Sequence, residues 1–129
     1  MTKIATALAA LSASALLALG APAFASHGGG DGRVVKTGSC SDGAHWTLKV
    51  KNDDGRLDVE GEVDSNISGQ TWRWKIKDNG DVTASGSART GGRSGSFSVE
   101  RRITNRAGTD KVTFRSSHSG EVCTGTIAF

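Results

Sequence analysis

From Arg33 onward, apolar and polar residues alternate with a period of two, the pattern of strands that bury one face and wet the other. It predicts strands near Arg33–Thr37, His45–Lys51, Arg56–Asp64, Thr71–Asp78, Asp81–Ala88, Ser96–Ile103, Asp110–Ser117 and Glu121–Phe129. No helical period competes with it. Turn-formers separate the runs. Asp54-Gly55 and Asn79-Gly80 offer the positive φ angles of two-residue hairpins, and Gly91, Gly92 and Gly95 in "TGGRSG" predict a looser, mobile connection.

The stretch "QTWRWKIKDNG" holds two of the three tryptophans of a chain that has no tyrosine. Trp72, Trp74 and Ile76 share one strand face; Arg73, Lys75 and Lys77 occupy the other. An indole pair that continues into isoleucine, opposite a wholly basic face, reads as core rather than as an exposed aromatic platform. Partners with the same alternation are Trp46, Leu48 and Val50; Leu57, Val59 and Val63; Phe97, Val99 and Ile103; Val112 and Phe114; Ile127 and Phe129. Two inward faces of this kind predict an all-β fold, an antiparallel sandwich of seven to eight strands.

The first residues change the picture of where this domain works. Lys3 precedes an apolar run from Ile4 to Leu19 that ends in small residues, with Ala23-x-Ala25 fitted for cleavage. The expected organisation is a secretory signal peptide over 1–25, a flexible Gly-rich lead-in over 26–32 ("SHGGGDG") and one β domain over 33–129. The run is short of the roughly 20 apolar residues that cross a bilayer and no basic stop-transfer cluster follows, so no transmembrane anchor is expected. In a secreted chain, extracellular or wall-associated, Cys40 and Cys123 are expected to form one disulfide. Lys and Arg number 16 against 13 Asp and Glu. Bulk charge therefore gives no case for specific nucleic-acid binding; the chain is read as a monomer.

Order along the chain adds a resemblance. "RLDVEGEVD", "TWRWKIKDNG", "GSFSVERRI", "TNRAGTDKVTF" and "GEVCTGTIAF" resemble strands B, C, E, the E-to-F corner and G of an immunoglobulin-like sandwich, with "HWTLKVK" as A. The corner tyrosine is replaced by Asp110, and the cysteines do not stand in B and F; a Cys40–Cys123 bridge would join the chain's entry to its last strand. The set "CS…W-x-L-K…TWRW…RAGTDK…GEVC" is similar to small secreted actinobacterial proteins of uncharacterised function. That resemblance implies fold and compartment, and no activity.

Candidate chemistry is sparse. Asp58, Glu60, Glu62 and Asp64 put four carboxylates on one strand face, but neighbours about 7 Å apart in a row suit cross-strand pairing better than one shared cation. Lys49, Lys51 and Arg102 are the expected partners. Arg73, Lys75, Lys77, Lys111 and Arg115 face outward with few acids among them. They are either a solvated, solubilising face or a contact for an extracellular polyanion.

His45 and His118 stand in no recognisable catalytic motif, and no zinc spacing or phosphate loop occurs, so no enzyme activity, metal or cofactor is expected. His27 reads as a solvated tail histidine in preference to a weak copper site, and Asn66 matches a glycosylation sequon that matters only in a host with that machinery. The expectation is a secreted, non-enzymatic binding or cell-surface module. Alternatives are a small-molecule carrier and an inhibitor of an exported protease using "ARTGGRSGS".

Overall fold

A computed structural model describes residues 32–129; the expected signal peptide, and the lead-in up to Asp31 with His27, lie outside the described residues. Eight strands follow one another: β1 (Arg33–Ser39), β2 (His45–Asp53), β3 (Arg56–Asp64), β4 (Thr71–Asp78), β5 (Asp81–Arg89), β6 (Ser96–Thr104), β7 (Lys111–His118) and β8 (Glu121–Ala128). They form two four-stranded antiparallel sheets, ordered β1-β2-β3-β6 and β5-β4-β7-β8. Among the described residues no helix is long and apolar enough to cross a membrane.

Three two-residue turns set the registers. Asp54 and Gly55 have φ of 48° and 76°, and Asn79 and Gly80 have 50° and 89°. Both positive angles give the turn a twist that matches the flanking strands. Ser119-Gly120, at 46° and 87°, makes a third turn of the same kind between β7 and β8.

Period two then decides what lies inside. Trp72, Ile76, Leu48, Val50, Leu57, Val59, Val63, Val112, Phe114 and Ile127 lose all solvent contact, and Trp74 keeps 3%. The indole of Trp74 also carries the Arg101 guanidinium 4.9 Å above its ring. Trp46 departs from full burial: it is half-buried and packs against the rim of the core, because its ring lies across Gly38 of β1 and Gly125 of β8. Phe129 likewise packs there from the edge.

Cys40 and Cys123 are bonded, clasping the β1–β2 connection to β8. Hydrogen bonds fasten the same loop: Ser41 N–H donates to the Val122 carbonyl, and Glu121 Oε2 accepts from the N–H groups of Asp42 and Ala44. The glycine-rich β5–β6 connection, expected to be loose, is also tied. Gly91 and Ser96 exchange backbone hydrogen bonds, the Gly95 carbonyl accepts from Ser65 N–H, and Gly95 is buried against the backbone of Asn66 and Ile67. Its glycines serve a close approach as well as the turn.

Candidate polyanion interface on the second sheet

The outward face of the β5-β4-β7-β8 sheet is fixed by register. Lys75 on β4 stands opposite Arg115 on β7 and Ser85 on β5; Arg73 stands opposite Ser117 and Ser87; Lys77 stands opposite Thr113 and Val82. The last step is offset by a bulge that leaves Thr83 of β5 unpaired, with its hydroxyl donating to the Ile76 carbonyl. Farther out, Thr113 faces Thr126, and the two hydroxyls hydrogen-bond at 3.0 Å. Lys111 lies diagonal to Lys77 at the end of β7.

The structure therefore brings all five predicted basic residues onto one face. Arg89, opposite Thr71 on β5, joins them; alternation along β5 would have shown it, had the weak apolar pattern there been followed to its last residue. A shallow trough of about 360 Å³ runs between Arg73, Lys75 and Lys77 on one side and Arg115 and Ser117 on the other. Serine and threonine hydroxyls dominate the rest of the outward positions on these strands, and no carboxylate occupies one. Among the described residues none of the six cations takes part in an ion pair.

The opposite sheet is the contrast. There Lys49 pairs with Glu60 at 3.8 Å, Lys51 with Asp58 at 3.6 Å and Arg102 with Asp53 at 2.6 Å. Two of the four β3 carboxylates are paired as expected; Arg102 reaches Asp53 at the β2 end rather than the row itself. Register adds an acid that the row alone did not reveal, because Glu100 of β6 falls directly opposite Glu60. The neighbouring Asp58 charge and a hydrogen bond between the two carboxyls push the Glu100 carboxyl above its ordinary range. Cations on this face thus have acids beside them, and those on the other do not.

Two further ionisable groups lie inside the sandwich rather than on either face. Asp78, at the inward end of β4, and Asp110, just before β7, are both buried. Arg106 Nε lies 3.6 Å from Asp78 Oδ2, and its Nη1 donates to Asp81 Oδ2 at 2.9 Å. Burial, and then the hydrogen bond and charge of Asp110, push Asp78 up to about 6; Arg106 partly offsets them.

The histidines do other work. His118 stacks on Trp72 at 5.4 Å between centroids, with Nδ1 2.7 Å from the Thr71 carbonyl, and His45 is exposed at the start of β2. Among the described residues, no three His, Cys, Asp or Glu side chains gather to hold a metal ion. No family model, no curated protein and no solved structure matches this chain.

Proposed function

We propose that the protein is an exported, non-enzymatic binding module that engages an extracellular polyanion through the outward face of β4, β5 and β7. One observation carries the reading: six cations share a face without a single carboxylate, while on the other sheet Lys49, Lys51 and Arg102 each have an acid beside them. Lys75 and Arg115 are placed directly across from each other, an arrangement that costs stability until an anion lies between them. A face meant only for solubility would gain by interspersing the two signs.

The immunoglobulin-like reading belongs with this proposal. The orders β2-β3-β6 and β4-β7-β8 are those of strands A-B-E and C-F-G in that architecture, which supports the resemblance. Export is supported by the leader sequence and by the disulfide.

Retention on heparin and on phosphocellulose tests the binding function. At low salt the oxidised protein is retained and elutes as salt is raised; passage through both columns without delay overturns the reading. Charge reversal at Lys75 shortens retention, and charge reversal at Lys36 on β1 leaves it unchanged.

A further inference from the structure

The spacing of the cations narrows the ligand. This inference rests on the polyanion reading above and specifies its chemistry. Arg73, Lys75 and Lys77 recur every second residue along β4, so each step comprises six backbone bonds and advances about 6.7 Å. A 1,3-linked polyol phosphate also has six bonds per repeat: from phosphorus through oxygen, three carbons and oxygen to the next phosphorus. Extended chains of equal bond count and similar bond lengths have nearly equal repeats. Laid along β4, such a polymer would bring one phosphate to each cation without stretching or looping. A glycan with one uronate per two sugar rings spaces its charges more widely and falls out of step.

We propose that the trough seats a linear polyol-phosphate polymer, running along β4 with successive phosphates at Arg73, Lys75 and Lys77. Arg115 closes the middle phosphate from β7, since it stands directly across from Lys75. Lys111 and Arg89 extend the positive track at its two ends. Arginine offers a planar fork of N–H donors that fits two phosphate oxygens at once. Ser85, Ser87, Thr113 and Ser117 supply neutral hydroxyls beside them for the remaining phosphate oxygens and the polyol.

A sugar–phosphate chain shares the six-bond repeat, so nucleic acid needs a separate argument. Proteins that hold single strands stack the bases on aromatic side chains, each stack contributing about 1–3 kcal/mol. The outward positions of all four strands carry no aromatic residue; Trp74 borders the trough but keeps only 3% of its surface exposed, and Trp46 and Trp72 pack on or within the core. The face can therefore bind phosphates without binding bases.

The test is fluorescence anisotropy on the oxidised protein at low salt, with an end-labelled 1,3-poly(glycerol phosphate) of about ten repeats as probe. Hyaluronate, heparin and oligothymidylate compete at matched charge. The expected result is binding at least about tenfold tighter than hyaluronate, with no advantage for oligothymidylate over glycerol phosphate. Each phosphate contact should contribute about 0.7 to the log–log salt slope, so the three phosphates along β4 give a slope of about −2 or steeper; Lys75→Gln weakens binding, and Lys75→Gln with Arg115→Gln, which strips both cations from the middle phosphate, reduces the slope by about one contact.

Equal affinity for hyaluronate and poly(glycerol phosphate), or tighter binding of heparin than of either, overturns the spacing argument and leaves the polyanion reading standing. Tighter binding of oligothymidylate also overturns it, in favour of nucleic acid. Binding of none of the polymers defeats both. Unchanged near-ultraviolet circular dichroism in Lys75→Gln establishes that a loss of binding is not a loss of fold.

Discussion

The carboxyl groups of Asp78 and Asp110 lie close together inside the sandwich, the first with no accessible surface and the second with 1%. As two carboxylates they are acceptors only, and both oxygens of Asp78 and Oδ2 of Asp110 then have no donor. A proton held between them supplies one. Asp110 Oδ1 is already engaged by the Arg106 N–H at 3.2 Å, and the Arg106 side chain is shared between Asp78 and exposed Asp81.

The sign of the resulting pH dependence follows from Asp78, raised in the folded protein from an ordinary 3.8 to about 6. Between these values the folded state holds more protons than the unfolded chain, so this pair's contribution to stability is complete below pH 4 and is lost as pH rises to 6. Asp110→Asn keeps an acceptor for Arg106 and provides an N–H donor to Asp78. The variant is expected to melt higher than the parent at pH 7, with the difference shrinking as pH falls from about 6 to 4. Melting temperatures of the two proteins across that window check it. A difference independent of pH would show that the pair does not share a proton.

The disulfide should dominate the stability of the domain. Cys40 and Cys123 lie 83 residues apart, and closing a loop of that length contributes about 4–5 kcal/mol in the chain-entropy picture. Small domains have a net stability of about 5–15 kcal/mol, so Cys123→Ser or full reduction should lower the melting temperature by about 20 °C or more, or unfold the domain outright. The hydrogen bonds from Ser41, Asp42 and Ala44 to β8 would have to hold the loop alone. Calorimetry with and without reductant measures the loss. A drop of only a few degrees would mean that those bonds, rather than the covalent link, set the position of β8.

Glu100 faces Glu60 across β3 and β6, close to Asp58, and its proton is held more tightly as a result. Glu100→Lys replaces that repulsion with attraction on an exposed surface. A modest rise in melting temperature is expected, largest at low ionic strength and fading as salt is added. Thermal melts over a salt series decide this, and a destabilised variant would show that the acid is held by something other than the charges around it.

Strand positions and the buried tryptophans at 72 and 74 were legible because alternation is a local property of the chain. Outward exposure of Arg73, Lys75 and Lys77 followed from the same parity, as did the pairing of Lys49 and Lys51 with the β3 row. Cross-strand partners were less visible, since the Glu60–Glu100 encounter depends on which strand lies beside β3. The acid pair did leave a signal: Asp78 continues the inward parity of Trp72, Trp74 and Ile76, and Asp110 that of Val112 and Phe114. The tied Gly91–Ser96 connection left none. Its anchor is the approach of Gly95 to Asn66 and Ile67, remote in sequence, and glycine composition signals only freedom of φ.

Two glycines inside strands test how closely the sheets interlock. A methyl group at Gly61 of β3 would enter the Phe114 ring, and one at Gly125 of β8 would enter the Trp46 ring. The neighbours differ in their freedom to yield. Phe114 is fully enclosed, whereas Trp46 is half-buried at the rim and has solvent to move into. Gly61→Ala should therefore cost about 1–3 kcal/mol, the usual range for overpacking, and Gly125→Ala less. The second variant carries its own optical marker, because displacement of Trp46 into water should red-shift the emission and raise the fraction quenched by acrylamide. Denaturant melts and quenching of both proteins make the comparison. If Gly125→Ala is the costlier change, or leaves Trp46 shielded, the ring is held at the rim more tightly than its exposure implies.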